Sequence, residues 1–201
     1  MLIEPLAPAR IPEAAAMLRR SFEADPMFRF LLPGEGARHT WLRLLMASAL
    51  AECANRGEIW AAHLDGLAGT IGIVPPGHAH ASTASRIVTL ARLLATAPTR
   101  PPSWRFVVHG PRVLQVLAGG HPRERHLYVQ VLGADPNLHG RGVGAALIEK
   151  ALARAAEERA FAYLETTNER NLGFYGRFGF RVIDELSPSP GGGPPIWFLR
   201  T

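Results

Sequence analysis

Apolar residues recur at helical spacing through "IPEAAAMLRRSFEAD", with Pro12 near the first turn, and the pattern stops ahead of Pro26. A second helix is predicted over "EGARHTWLRLLMASALAECANRG", stopped by Asn55, Arg56 and Gly57. The period then changes. "EIWAAHL" and "LAGTIGIV" flank Asp65-Gly66 and read as a hairpin, with a short first strand expected earlier in "LIEPLAPAR". "PPGHAH" breaks the pattern, and helical stretches are predicted over residues 82–97 and 104–118. "RHLYVQVLG" alternates as a strand, and a glycine-rich stretch then opens a helix running to about residue 159. Strand "FAYLETT", short helix "RNLGFYGRFG", strand "FRVIDEL", turn "SPSPGGGPP" and closing strand "IWFLR" complete the chain. This order predicts one α/β domain over residues 1–201, with a mixed sheet of α+β type and no internal repeat.

Composition narrows the class. With 201 residues, 47% of them hydrophobic, the chain can bury a substantial core, and 19% charged residues argues against disorder. The formal net charge is +5, and only Lys150 among the 22 basic residues is not arginine. The arginines are scattered without a basic run, so no nucleic-acid partner is expected. Cys53 is the only cysteine, which rules out an intramolecular disulfide; its apolar neighbours in "MASALAECA" predict a buried thiol. "MLIEPLAPAR" lacks the basic and apolar regions of a signal peptide, and no apolar run reaches the ~18 residues of a membrane span. A cytoplasmic protein without a membrane partner is the expectation. His78 and His80 in "GHAH" have a metal-like spacing, but no further ligands cluster around them, so no metal is expected.

"NLHGRGVGAALIEKAL" holds the candidate chemistry. Glycine inside a helix is unfavourable by roughly 0.5–1 kcal/mol relative to alanine, yet Gly140, Gly142 and Gly144 fall where a strand gives way to a helix. A helix N-terminus offers unbonded N–H groups and a partial positive charge, and bare glycines let a diphosphate reach them. A tight turn alone would account for one or two of the three. No Gly-Lys-Ser/Thr triplet marks a P-loop. Gly140, Gly142 and Ala145 also fit the dinucleotide fingerprint, with Glu165 about 20 residues on. That reading implies an NAD(P)-dependent oxidoreductase, but "ADPNLH" intervenes and little chain is left for a doubly wound sheet.

"VLGADPNLHGRGVGAALIEKAL" resembles the acyl-CoA-binding motif of the GNAT superfamily of N-acetyltransferases, with His139 at the usual Gln or Arg position and Gly142 and Gly144 at the two small ones. "YLETTNERNLGFYGRFGFRV" is similar to the second GNAT signature, so the resemblance covers about residues 126–182. "RRSFEADPMFRFLLP" and the C-terminus are more loosely similar to the puromycin N-acetyltransferase-like members. The resemblance implies a mostly antiparallel sheet splayed between its fourth and fifth strands and flanked by helices. It implies acetyl-CoA as co-substrate, its diphosphate on the amides from Arg141 through Gly142, Val143 and Gly144 to Ala145. The pantetheine arm would then pair with Leu132, Gly133 and Ala134, and an unpaired strand edge suits such a peptide-like arm.

Acyl transfer needs a neutral amine, and an alkylamine with pKa near 10.4 is mostly protonated at neutral pH. By analogy Glu165 is the base, with Glu124 and His126 as rivals; each could equally be a solvated or salt-bridged residue. Tyr175 matches the tyrosine that many members use as general acid toward the thiolate, the alternative being a packed ring beside Phe174 and Phe178. Asn168 and Asn171 can each cap the short helix or contact CoA. Phe22, Glu23, Asp25, Met27, Phe28 and Phe30 suggest an apolar acceptor pocket with an acidic edge, or a lid packed on the core. The acceptor is expected to be a small-molecule or peptide amine, with a homodimer left open. A non-catalytic acyl-CoA-binding module is the other function the motifs allow.

Overall fold

The computed structural model describes residues 1–78, 101–188 and 193–201; the predicted helix 82–97, His80 and part of "SPSPGGGPP" lie outside them. The chain opens with β1 (Leu2–Pro5) and α1 (Ile11–Phe22), which has Pro12 in its first turn. α1 stops at Phe22, and a short helix unanticipated from the pattern follows, α2 (Pro26–Leu31). Asp25 starts it, accepting from the N–H of Met27 at 3.0 Å and of Phe28 at 3.2 Å. Pro26 takes the first helical position, where its missing N–H has no bond to make.

α3 (Glu35–Arg56) leads into the hairpin β2 (Glu58–His63) and β3 (Leu67–Val74). Then come α4 (Trp104–Gly120), β4 (His126–Ala134), α5 (Val143–Glu157) and β5 (Phe161–Thr166). α6 (Arg170–Gly176), β6 (Arg181–Leu186) and β7 (Ile196–Arg200) end the chain. The strands form one sheet in the order β1-β2-β3-β4-β5-β7-β6. Every pairing is antiparallel except β4 with β5. This mixed α/β arrangement is not a doubly wound parallel sheet, which removes the dinucleotide-binding alternative.

The parallel pair is brief. Only His126, Leu127 and Tyr128 lie opposite Phe161, Ala162 and Tyr163. Beyond them β4 stays with β3, as Leu132 pairs with Ile71 and Ala134 with Gly69, while β5 continues against β7. The expected splay between the fourth and fifth strands is therefore present. A bulge lies just past the last paired residue of β4: Gly72 faces Val131 and Ile73 faces Val129, so Gln130 is the extra residue. A bulge bends its strand and strengthens the twist. α3 grips this one, because Gln130 Nε2 donates to Glu52 at 3.1 Å and Cys53 Sγ donates to Gln130 Oε1 at 3.4 Å.

Helices cover both faces. α5 and α6 set Val143, Leu147, Ile148, Ala151 and Tyr175 against Leu127, Val129, Ala162 and Leu164. On the other face α1 and α3 bury Leu18, Leu42, Met46 and Leu50 over Ala61, Val74 and Val131. Two glycines make these approaches close. A Cβ on Gly69 would come within 2.5 Å of Val143, and one on Gly133 within 2.5 Å of Leu18. Cys53 is fully buried, as expected, and burial pushes its thiol up to about 12. The folded protein should therefore resist a thiol-reactive disulfide reagent at mildly alkaline pH and react at once in denaturant. Rapid stoichiometric labelling of the native chain would contradict that burial.

Candidate active site

β4 leads through Asp135 into a short turn, Pro136–Leu138, which Asp135 caps by accepting from the N–H of Asn137 at 3.0 Å. Arg20 of α1 pairs with Asp135 and holds the turn against the body of the protein. Gly140 and Gly142 follow with φ of +78° and +75°, left-handed backbone that glycine adopts without strain. Gly142 is the N-cap of α5, and the first bond closing the helix runs from the N–H of Ala146 to its carbonyl at 3.0 Å. The N–H groups of Val143, Gly144 and Ala145 precede that bond and have no acceptor within the helix. Arg141 differs from the expectation: its N–H already donates to Leu138 O at 3.2 Å, so its contribution to an anion is its exposed guanidinium. His139 is exposed beside it, whereas Val143 is buried and anchors the first turn.

This cradle stands at the end of β4, whose edge toward β5 is open past Tyr128. Leu132, Gly133 and Ala134 run along that edge while pairing with β3 on their other side. Asn168 and Asn171 sit past the end of β5. Asn168 Oδ1 accepts from the N–H of Arg170 at 3.2 Å just ahead of α6, whose N-cap is Glu169; Asn171 Nδ2 donates to Thr166 Oγ1 at 3.0 Å. Tyr175 is buried beneath the cradle helix, its ring 5.1 Å from that of Phe174 and 5.7 Å from that of Phe180. Burial raises its hydroxyl well above the usual tyrosine range, so it stays protonated and can only donate to an anion.

Glu165 lies on the opposite face of β5, which alternates Tyr163 and Glu165 toward one side and Ala162 and Leu164 toward the other. Its Oε1 is 3.5 Å from Nδ1 of His121, the residue after α4, and the two side chains are only 8% and 9% exposed. His121 Nε2 is 2.9 Å from Nε2 of His126, whose Nδ1 is 2.7 Å from the carbonyl of Glu124. Tyr128 and Tyr163 flank the group, and burial, then the Glu165 charge, pushes both phenols far up. Of the candidate bases, Glu124 instead makes a surface pair with Arg200 at 3.3 Å and is 65% exposed.

The six residues of the expected acceptor pocket are engaged in packing and capping contacts. Met27 is buried in the core, Phe22 packs edge-on against Phe28, and Glu23 pairs with Arg19 at 2.7 Å. Phe30 lies against His109 of α4. Asp25 caps α2 and also accepts from Thr167 Oγ1 at 2.9 and 3.0 Å, which ties α2 to the end of β5; burial pushes its carboxyl up. The lid reading fits this arrangement, with the acid and aromatics holding α2 in place. Among the described residues no group of three or more His, Cys, Asp or Glu could hold a metal ion.

The profile of the acetyltransferase (GNAT) family matches residues 26–180, which span the splayed strands, the glycine cradle and Tyr175. The chain belongs to the GNAT acetyltransferase family. It is 37% identical over 81 residues to a blasticidin-S acetyltransferase of Streptomyces morookaense, a match covering 38% of this chain and 60% of that protein. It is 40% identical over 67 residues to a mycothiol acetyltransferase of Propionibacterium freudenreichii, covering 32% of this chain but only 20% of the relative. These matches thus span less than two thirds of either relative. The crystal structure of histone acetyltransferase HPA2 and related acetyltransferase from Corynebacterium glutamicum has a TM-score of 0.70 and 22% identity, covering 98% of this chain and 93% of that one. At that identity the likeness establishes the fold.

Within this GNAT fold, the candidate site is surrounded by residues to which the motifs gave no role. His121, Tyr128, Tyr163 and Thr167 surround Glu165 and Asp25, and none of them stood out in the sequence. Tyr163 shares the strand face of Glu165 by alternation, a signal that was available, whereas Tyr128 joins it only through the register of β4 against β5. His121 had no comparable signal, because it reaches β5 only through the placement of α4.

Proposed function

We propose that the protein is an acetyl-CoA-dependent N-acetyltransferase that passes acetyl to the amine of a small molecule or peptide by direct attack. The observation that carries this reading is the open edge of β4 ending at a helix whose first turn is bare glycine backbone. The N–H groups of Val143, Gly144 and Ala145, with the side chains of His139 and Arg141, would hold the diphosphate of CoA. Gly140 and Gly142 shape the turn, and Leu132, Gly133 and Ala134 offer the strand edge to the pantetheine arm. Asn168 and Asn171, held past the end of β5 by their own hydrogen bonds, would border the coenzyme. Glu165 takes a proton from the attacking amine, and Tyr175 donates a hydrogen bond to the departing thiolate.

In the reaction the amine lone pair forms the N–C bond and the C–S electron pair leaves with sulfur. Calorimetry with CoA and acetyl-CoA, followed by thiol release against an amine panel, tests the reading; binding of neither would end it. Tyr175→Phe should lower kcat by roughly 10–10²-fold, with CoA affinity unchanged because the ring packing is kept. An unchanged single-turnover rate would remove the hydroxyl from the chemistry. The cytoplasm is the proposed location.

A further inference from the structure

Gln130 is the residue of β4 without a counterpart on β3, because a bulge leaves its extra residue out of the ladder. Its side chain is held instead. The Glu52 carboxylate, which accepts from Arg56 Nη1 at 2.5 Å, also accepts from Gln130 Nε2 at 3.1 Å. The Cys53 thiol, kept protonated by burial, donates to Gln130 Oε1 at 3.4 Å. Each end of the amide therefore meets a partner of the opposite kind, and the side chain has one orientation. Glutamate here would face Glu52 with a like charge, and an apolar side chain would lose both partners. β3 is bare where the thiol reaches across: a Cβ on Gly72 would come within 2.5 Å of Cys53 Sγ and 3.0 Å of Val131. A charged pair on α3, its buried thiol and a glycine on β3 thus converge on one side chain of β4.

That side chain stands at the closed end of the splay. The edge of β4 toward β5 is open from Val129 to Ala134, and pairing with β5 closes it at Tyr128. Counted on from Tyr128 opposite Tyr163, two residues along each strand lead to Gln130 on one side and Glu165 on the other. At about 3.3 Å per residue, Gln130 lies ~13 Å back along the strand from Ala134, beyond which the cradle begins. A coenzyme with its diphosphate in the cradle and its arm laid along β4 brings its far end, the thioester, to the bulge. We propose that Gln130 is a positioning residue for acyl transfer, and that its grip by Glu52 and Cys53 holds the thioester end of the coenzyme opposite Glu165. This rests on the acetyltransferase reading above. Gln130 exchanges no proton and forms no bond to the acyl group. It sets where the bulged backbone stands, and acyl transfer slows steeply with misplacement on the ångström scale.

The test compares variants of the full chain by calorimetry with CoA, single-turnover acetylation of phenethylamine from acetyl-CoA, and unfolding in urea. Gln130→Leu is close in shape, loses both hydrogen bonds, and should lower the single-turnover rate roughly 10–10²-fold. Its affinity for CoA should be retained, because the turn into the cradle is held by Arg20 and Asp135. Glu52→Leu should act in the same direction, whereas Glu52→Gln still offers an acceptor and should keep most of the rate. Cys53→Ala removes the thiol donor alone and should lower the rate about threefold; this milder variant carries the test if Gln130→Leu does not fold. Since Cys53 acts through Gln130, Cys53→Ala should add no further loss in a Gln130→Leu background. Lowered stability at an unchanged single-turnover rate would mark a structural role only and overturn the proposal. So would CoA affinity and rate falling together, or additive losses in the double variant. A wild-type chain that binds no CoA overturns the transferase reading, whereas a wild type that binds and transfers, with Gln130→Leu equally fast, overturns the positioning role alone.

Discussion

Glu165→Gln is expected to lower kcat/KM for acetylation of a primary amine by roughly 10²–10³-fold at neutral pH, with the affinity for CoA retained. An alkylamine with pKa near 10.4 is neutral in only about one molecule in a few thousand at pH 7. The base therefore sets how much of the bound amine can attack. Glutamine matches the shape of the carboxylate and can still accept from the phenols of Tyr128 and Tyr163, so the fold is preserved. The sign of the pH response separates this from general damage. Without the base the variant depends on amine that is already neutral, so its rate should keep climbing toward the amine's own pKa. The wild-type rate should depend less steeply on pH, because the carboxylate draws the proton from bound ammonium. Equal rates at neutral pH, or a uniformly lowered but parallel profile, would remove Glu165 from the proton transfer.

Local pattern made much of this architecture legible, and the exceptions share a cause. The hairpin at Asp65-Gly66, the strand over residues 126–134 and the glycine entry to α5 each depend on residues within one short window. The splay does not. It coincides with the bulge at Gln130, which is defined only by the register of β4 against β3 and gripped by Glu52 and Cys53 some 78 and 77 residues away. Alternation in "RHLYVQVLG" marks a strand but cannot say where its partner leaves, so the splay came from family resemblance. Asp25 shows the opposite failure. Asp followed by Pro is a helix-start signal within two residues, yet the proline reads equally as the end of the preceding helix. The candidate base was legible by analogy, whereas its partner His121 was not, since 44 residues and the whole of α5 separate it from Glu165.

Gly144→Val should abolish most CoA binding, by roughly 10²-fold, and it is the sharpest test of the cradle because the fold should tolerate it. Gly142 would be a poorer choice: its φ of +75° makes any side chain strained, by about 1–2 kcal/mol, so lost affinity there could follow from a displaced helix end. Gly144 has ordinary helical backbone, and a Cβ there would meet only the ring edge of Phe174 at 3.4 Å. Valine is also a better helix former than glycine by a few tenths of a kcal/mol. Stability in urea should therefore stay near wild type. Affinity should not, because a branched side chain would add bulk to the bare backbone beside the N–H groups of Val143, Gly144 and Ala145. A hydrogen bond to a charged group contributes about 1.5–3 kcal/mol, and each 1.4 kcal/mol is tenfold in Kd, so obstructing even two such bonds accounts for the expected loss. The same substitution should leave the contact between Glu165 and His121 untouched, since α5 and Glu165 lie on opposite faces of the sheet. Wild-type calorimetry in folded Gly144→Val would show that the three glycines only turn the chain.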